Sequence, residues 1–281
     1  MNCAWESFLG LIPQWLKPAA DRQKNTLQEL RLRINQPPQL VCKNSELWLD
    51  RVITNDDLNY CINTASKYSP WSAATVTKGY ITAPGGHRLG ICGEFAMKHT
   101  DTIGIHAVTS ICIRIARDYP GIAHSVPVNQ GSLLILGPPG SGKTTFLRDV
   151  IRQRSMQAQG SIAVVDEKEE IFPLVNHIPY FTIGKRIDVL SGCKKAVGIN
   201  LALTNMGAST IALDEITEHA DCEALLQACW CGVHLIATAH AANLRDLYAR
   251  PVYKSLAESH VFKDVVVMSR DKSWKMERTS Q

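Results

Sequence analysis

The chain has 281 residues, of which 45% are apolar and 20% charged. This is the composition of a globular protein and argues against a mostly disordered chain. Thirty basic and 26 acidic residues give a formal net charge of +4, a balance too mild to indicate a nucleic-acid-binding protein. The nine cysteines are an odd number spread along the chain. Because small secreted scaffolds concentrate their cysteines, we expect reduced thiols in a cytoplasmic protein.

Residues 1–27 predict an N-terminal amphipathic segment. The stretch lacks the basic opening of a signal peptide, and Pro13 interrupts its apolar residues. A stripe of this kind packs on its own domain or on a partner, or lies on a membrane surface. No apolar run reaches the ~18–20 residues that span a bilayer, so we expect no transmembrane segment. The apolar residues at helical spacing are Trp5, Phe8, Leu9, Ile12, Trp15 and Leu16.

Residues 28–126 predict a smaller α+β domain. Thr54 or Asn55, followed by two aspartates, predicts a helix that continues to about residue 67. Pro84-Gly85-Gly86 lies between two alternating arms and predicts a β-hairpin. Proline and glycine at 120–121 and 127–131 indicate a linker. Further strands are predicted for ELRLRI, QLVC, ELWL and ICIRIA.

Residues 127–281 predict an α/β domain with a parallel sheet. Its sequence contains short, nearly continuous apolar runs, each followed by polar or helix-compatible residues. Runs of this kind are typical of parallel strands that crossover helices cover on both faces. Ligands of open α/β sheets bind at the carboxyl ends of such strands. The runs are SLLILG, SIAVVD, STIALD and VHLIAT, with VFKDVVVMS and SWKM as later strands.

A phosphate-binding loop follows the first of these runs. Residues 137–144 read GPPGSGKT and match GxxxxGK[ST] between a strand and a helix, which is the context that this motif requires. Its glycines let backbone N–H groups approach phosphate oxygens at the helix N-terminus. We expect Lys143 to contact the β- and γ-phosphates of ATP and Thr144 to bind Mg²⁺. The predicted phosphate-binding residues are Gly137, Pro138, Pro139, Gly140, Ser141, Gly142, Lys143, Thr144 and Thr145.

A second apolar run ends in two carboxylates, Asp214 and Glu215, about 70 residues after the loop lysine. This pattern is typical of a Walker B strand. We expect Asp214 to hold Mg²⁺ through water and Glu215 to polarise the attacking water, since hydrolysis needs a base near the γ-phosphate. The alternative is a strand end that meets a capped helix, because Asp-Glu also suits a helix start.

Two further strand ends carry polar residues. The run VVDEKEE over 164–170 places Glu167, Glu170 and further carboxylates at the predicted sheet edge. Acidic runs are also typical of solvated faces, and that alternative stays open. Thr238 and His240 end another strand at the same edge. A histidine there can hydrogen-bond a phosphate, or it can be part of the scaffold.

Together these motifs resemble the secretion-type ATPases, the motors of type II and type IV secretion and of pilus retraction. That superfamily places an acidic box after the P-loop helix and a histidine box after Walker B, where this chain has VVDEKEE and ATAHAAN. Within it, the chain is most similar to the stage III sporulation AA family, over roughly residues 28–270. The segments that occur in that family's order are ELRLRI, YITAPGGHRLGICGEF, ICIRIARDYPG, DEKEEI, RIDVLSGCKKA, DEI and TAHA.

The resemblance implies a RecA/AAA-like ATPase domain in a homo-hexameric ring, with an N-terminal domain packed over the nucleotide. It also implies that Glu167 or Glu170 acts with Glu215 to position water and that His240 senses nucleotide. Arg114 and Arg117 occupy the segment from which secretion ATPases send arginines to the phosphates, where guanidinium groups neutralise transition-state charge. The alternative is that both arginines pair only with local carboxylates.

Three positions depart from the family pattern. Lys168 stands where an arginine is usual, and Lys194 replaces a common proline. Thr204 lies where the family has an arginine before Walker B, so one inter-subunit arginine is missing. These departures imply a slow ATPase or a diverged relative with another partner.

The motifs therefore predict an ATP-hydrolysing enzyme that uses Mg²⁺, and the resemblance implies that it is a ring-forming mechanoenzyme. The resemblance implies that it energises a sporulation channel or secretion complex, with integral-membrane components as partners. It also implies a peripheral location at the inner face of a membrane, on the mother-cell side. Two other functions stay open. One is a nucleotide-dependent docking scaffold with little turnover. The other is a nucleic-acid-linked ATPase, against which the near-neutral charge of the N-terminal half argues.

Overall fold

The chain forms two compact units. Unit 1 consists of residues 1–118 and 175–180, and unit 2 of residues 119–174 and 181–281. The sequence places its domain boundary between residues 126 and 127, and that division stays a prediction. A computed structural model describes residues 3–67, 79–98, 101–127, 131–157, 160–175 and 177–278. Part of the predicted linker, residues 128–130, lies outside these ranges.

Three helices of unit 1 are α1 (Trp5–Leu11), α2 (Lys17–Asp21) and α3 (Asn55–Ser66). Helix α3 begins where the sequence predicts, because the Thr54 hydroxyl accepts the N–H of Asp57 while the Asp57 carboxylate accepts the N–H of Thr54. The predicted N-terminal stripe packs on its own unit, which was one of the settings that the sequence left open. Its buried members are Trp5, Phe8, Ile12 and Leu16.

A six-stranded antiparallel sheet completes unit 1, in the order β3-β2-β1-β6-β5-β4. The predicted hairpin is present, since Ala83 pairs with His87 across the Pro84–Gly86 turn. Alternate residues of β1 are buried, among them Leu30 and Leu32, so one face of this strand contributes to the core of the unit. The strands are β1 (Leu27–Arg33), β2 (Gln39–Cys42), β3 (Glu46–Trp48), β4 (Tyr80–Ala83), β5 (His87–Lys98) and β6 (Asp101–Arg114).

His87 connects the N-terminal segment to this sheet from a fully buried position. Its Nε2 lies 3.0 Å from the Ala4 carbonyl oxygen, and its Nδ1 accepts the N–H of Ala116. These partners require the neutral imidazole with the proton on Nε2. Burial lowers the pKa of His87 to about 4, and the charge of Arg117 adds to this effect.

Unit 2 is built on a seven-stranded sheet in the order β11-β8-β12-β13-β7-β14-β15. All neighbouring strands are parallel except β14 and β15, which are antiparallel. The strands of this sheet are β7 (Leu133–Leu136), β8 (Ile162–Asp166), β11 (Ile187–Ser191), β12 (Thr210–Leu213), β13 (His234–Ala239), β14 (Asp264–Met268) and β15 (Trp274–Arg278). The short strands β9 (Leu174–Val175) and β10 (Ile178–Pro179) form a separate two-stranded sheet, and β10 belongs to unit 1.

The parallel sheet confirms the predicted α/β fold. Every residue of β7, β8 and β12 is buried, which is why these strands read as continuous apolar runs rather than alternating ones. Helix α4 packs on β7 and β13, and α5 packs on β8 and β12. The helices of unit 2 are α4 (Lys143–Gln157), α5 (Lys195–Asn205), α6 (His219–Trp230), α7 (Leu244–Tyr248) and α8 (Lys254–Glu258).

Within the described ranges, each helix is either too short or too polar to cross a bilayer.

Candidate functional site

Four neighbouring strands of unit 2 bring the sequence motifs together. Strands β8, β12, β13 and β7 lie side by side in the sheet and run parallel, so their carboxyl ends meet at one edge. The acidic run follows β8, Asp214 and Glu215 follow β12, His240 follows β13, and the glycine-rich loop follows β7. Ligands of open parallel sheets bind at this edge.

The glycine-rich loop has a backbone that only glycine adopts easily. Gly140 and Gly142 have φ values of 77° and 93°, in the left-handed region that side chains disfavour. A Cβ on Gly137 would lie 2.6 Å from the Ser141 hydroxyl and 2.9 Å from the Met268 carbonyl oxygen. Helix α4 begins at Lys143 and directs its unpaired N–H groups toward the loop, which forms an anion site.

Ser141 supports this assignment. Its hydroxyl is fully buried and has no hydrogen-bond partner among the described residues. A buried hydroxyl without a partner is costly in a native structure. A phosphate oxygen held by the loop would satisfy it, so the loop fits a bound phosphate.

Lys143 is folded back onto the loop. Its ammonium donates to the carbonyl oxygens of Gly137 and Pro138 at 2.9 and 3.1 Å and lies 3.0 Å from Nδ1 of His240. Burial lowers the pKa of Lys143, and the carboxylates of Asp214 and Glu215 oppose this shift. The cation therefore lies at the mouth of the loop, where a phosphate would compete with these carbonyls.

Thr144 and Asp214 form an oxygen pair beside the loop. The Thr144 hydroxyl donates to Oδ2 of Asp214 at 2.6 Å, and the Thr238 hydroxyl donates to its Oδ1. A hydroxyl and a carboxylate are the hard oxygen ligands that Mg²⁺ prefers, directly or through water. The donor set therefore fits the predicted Mg²⁺ site.

Glu215 has a left-handed backbone conformation, and its carboxylate contacts a lysine and a histidine. Its φ of 54° is uncommon for a residue other than glycine, and its N–H donates to the Thr238 hydroxyl. Its carboxylate lies 2.7 Å from Nζ of Lys168 and 2.9 Å from Nε2 of His240. Burial raises the pKa of Glu215, but these two partners outweigh it and the net shift is downward. The carboxylate is therefore ionised and able to accept a hydrogen bond.

Asp166 is the most deeply buried carboxylate of the acidic run, and backbone N–H groups surround it. It is 2% exposed, and its carboxylate accepts the N–H groups of Glu170, Ile171 and Phe172. Burial raises its pKa to about 6, and two of these N–H groups oppose the shift. Arg148 of α4 donates to the carbonyls of Glu170 and Ile171. Asp166 and Arg148 therefore shape the loop that carries the acidic run.

Glu167 and Glu170 face the same pocket as the Walker B carboxylates. Glu167 forms an ion pair with Lys195 at 2.9 Å in the wall of this pocket. The residues that line it are Val165, Asp166, Glu167, Lys168, Glu170, Lys195, Asp214 and Glu215. The structure thus brings together four of the carboxylates that the sequence selected. It adds Lys195, which sequence reasoning missed.

Arg114 and Arg117 belong to unit 1. Arg114 is 62% exposed and pairs with Glu29 at 3.3 Å. Arg117 donates to the carbonyl oxygens of Lys24 and Leu27. The local pairing that the sequence left open is present for Arg114 with a carboxylate and for Arg117 with backbone. Their contact with phosphates stays a prediction.

Comparison with known proteins identifies the family. Residues 13–277 match the family described as sporulation stage III, protein AA. The chain belongs to this family. It is 35% identical over 276 residues to stage III sporulation protein AA of Bacillus subtilis, covering 93% of this chain and 90% of that protein. An uncharacterised protein ycf45 of Porphyra purpurea is 25% identical to this chain over 259 residues. The match covers 89% of this chain but only 43% of the ycf45 protein.

Two solved structures show the same fold at low sequence identity. The Legionella pneumophila ATPase DotB has a TM-score of 0.56 and 15% identity, with 95% of this chain and 80% of that chain covered. The pilus retraction motor PilT with bound ADP has a TM-score of 0.61 and 14% identity, and the match covers 95% of this chain and 83% of the PilT chain. These similarities confirm the predicted relation to secretion ATPases at the level of fold.

Proposed function

We propose that this sporulation stage III protein AA family member is an ATPase that binds ATP with Mg²⁺ and hydrolyses it. One observation carries the proposal. The ends of three adjacent strands, β12, β13 and β7, place the loop lysine, Thr144, Asp214, Glu215 and His240 in one chain of contacts, in which Thr238 connects Asp214 to Glu215. Each of these residues has the side-chain chemistry that phosphoryl transfer to water requires at its position.

In this mechanism the loop holds the triphosphate. The N–H groups of the loop residues other than Pro138 and Pro139 bind the phosphate oxygens, and Lys143 exchanges its loop carbonyls for the β- and γ-phosphates. Thr144 and, through water, Asp214 would hold Mg²⁺, which would neutralise charge on the phosphates when bound. These groups are in place before the reaction, so their stabilisation of transition-state charge costs little reorganisation.

Glu215 is the proposed base. Its ionised carboxylate orients a water for in-line attack on the γ-phosphorus and takes up a proton as the bond to the ADP oxygen breaks. This role requires that Lys168 and His240 release at least one carboxylate oxygen to the water. Glu167 or Glu170 is proposed to position the same water from the other side of the pocket. His240, in contact with both Lys143 and Glu215, is the proposed nucleotide sensor.

We propose further that the active form is a homo-hexameric ring. The described residues that line the pocket include two lysines but no arginine, so a guanidinium at the γ-phosphate would come from outside this lining. Arg114 and Arg117 are the proposed sources. The ring would energise a channel or secretion complex of sporulation from the inner face of a membrane, on the mother-cell side. This part rests on family membership and on the resemblance to secretion motors.

Two measurements on purified protein test the proposal. Multiple-turnover phosphate release with ATP and Mg²⁺ tests hydrolysis, and sedimentation with and without ATP tests the ring. We expect steady release and a ligand-dependent hexamer. Release that stops at one phosphate per chain would exclude the ATPase function, and a monomer under all conditions would exclude the ring.

A second function is a nucleotide-dependent docking scaffold. Thr204, where the family pattern has an arginine, is exposed on α5 and donates its hydroxyl to the Asn200 carbonyl oxygen. It therefore offers no cation to a neighbouring subunit. A scaffold needs only binding, so ATP binding without multiple turnover would favour it.

A further inference from the structure

Lys195 occupies a position that disfavours a cation. It is the first residue of α5, where the positive end of the helix dipole repels positive charge. It is also 6% exposed, so its ammonium has lost most of its hydration. Both effects are unfavourable, and they must be offset by contacts that Lys195 makes with other groups.

Three oxygens from three segments surround the Lys195 ammonium. They are Oε2 of Glu167 at 2.9 Å, the Thr217 hydroxyl at 3.3 Å and Oδ2 of Asp221 at 3.6 Å. Burial lowers the pKa of Lys195, but the bond to Glu167 and the charge of Asp221 outweigh it and raise the pKa overall. The side chain is therefore a cation that donates to Glu167 and Thr217 and lies within ion-pair distance of Asp221.

Asp221 gives this cluster a fixed anchor. Its Oδ2 accepts the N–H groups of Thr217 and Glu218 in the capping box of α6. Asp221 is buried as well. Lys195 thus connects a capped helix terminus to the Glu167 carboxylate. Thr217 lies two residues after Glu215, so the same cluster links the loops that follow β8 and β12.

The two lysine–carboxylate pairs of the pocket differ in exposure. The Lys195 side chain is 6% exposed, whereas that of Lys168, paired with Glu215, is 44% exposed. An exposed pair is screened and contributes little, but breaking a buried pair leaves a poorly hydrated charge. Lys168 can therefore leave Glu215 at small cost, while Lys195 keeps Glu167 in one place.

We propose that Lys195 is a positioning residue for hydrolysis: it fixes Glu167 in the pocket wall and sets the distance between the loops after β8 and β12. This inference rests on the proposed ATPase function and deepens it. Lys195 acts through Glu167 and has no contact with the phosphate-binding loop among its described partners. Its loss should therefore slow the chemical step without weakening ATP binding.

The test is Lys195→Met, which keeps the length of the side chain and removes the ammonium. We expect kcat to fall about 10- to 100-fold, the range for loss of a residue that orients a catalytic group. The Kd for ATP should stay within about twofold. Lys194→Met is the matched control, because Lys194 is adjacent and exposed, and it should turn over like the wild type.

A double substitution separates positioning from a general structural role. If Lys195 acts through Glu167, then Lys195→Met combined with Glu167→Gln should be no slower than Glu167→Gln alone. Losses that multiply would overturn the inference, as would an unchanged kcat in Lys195→Met. Should Lys195→Met fail to fold, Lys195→Gln retains a hydrogen-bond donor and serves the same comparison. Wild-type protein without turnover would instead refute the ATPase function itself.

Discussion

Replacing Glu215 with glutamine tests the proposed base with little change of shape. Lys168 and His240 contact different oxygens of the carboxylate, and glutamine keeps only one of these two oxygens as an acceptor. Its amide cannot take a proton from water. A positioned general base contributes about 10²–10⁴-fold, so we expect kcat to fall by that factor, equivalent to about 3–5 kcal/mol of barrier.

Binding should respond differently in Glu215→Gln. The negative charge of the Glu215 carboxylate lies close to the site of the phosphates, so its removal reduces the repulsion that they meet. This gain outweighs the loss of the support that Glu215 gives to the pKa of Lys143, because Asp214 supports that pKa as well. The Kd for ATP should therefore stay equal or decrease. Single-turnover phosphate release and fluorescent-nucleotide titration measure the two quantities. Wild-type kcat in Glu215→Gln would refute the assignment of the base, and a large loss of affinity would show that Glu215 serves binding instead.

Two further predictions concern stability. The pKa of His87 is about 4 in the fold against an ordinary value of 6.5, so the folded state binds fewer protons and loses stability as pH falls between these values. We expect the free energy of unfolding to fall by about 3 kcal/mol over this pH window, as measured by denaturant titration at several pH values. In His87→Asn the free energy of unfolding should depend less on pH. An equal pH dependence in the variant and the wild type would contradict the burial argument. In α5, a Cβ on Gly198 would lie 2.4 Å from Cγ1 of Val165. Gly198→Ala should therefore lower the free energy of unfolding by ~1–3 kcal/mol despite the higher helix propensity of alanine. Gly10→Ala in α1 is the control and should raise it, because a Cβ there meets nothing within 4 Å. A change of the same sign in the free energy of unfolding of both variants would contradict the packing argument.

The parts of the fold that the sequence predicts well depend on local signals. Strands β7, β8, β12 and β13 are recognisable because burial on both faces requires continuous apolar runs. The loop at residues 137–144 is recognisable because its backbone requires glycine at fixed spacing. Strand β11 was not predicted, since it lies at the sheet edge with partly exposed residues and lacks a continuous apolar run.

The parts of the site that were missed depend on contacts between distant residues. Lys195 meets Glu167 and Asp221 only after α5, β8 and α6 have packed, and no spacing rule connects these positions. Asp166 and Glu167 are neighbours in an acidic run and both line the pocket, yet the Asp166 carboxylate accepts backbone N–H groups whereas the Glu167 carboxylate pairs with Lys195. Sequence identifies the chemistry available at a strand end, while packing decides which side chain faces the ligand.

Titration calorimetry of ATP with Mg²⁺ tests the central claim most directly, with Lys143→Ala as the control. We predict one binding event per chain for the wild type. The heat should disappear in Lys143→Ala, because that variant lacks the ammonium that now contacts Gly137, Pro138 and His240. Absence of heat with clean wild-type protein, or equal binding by both proteins, would contradict a triphosphate site in this loop.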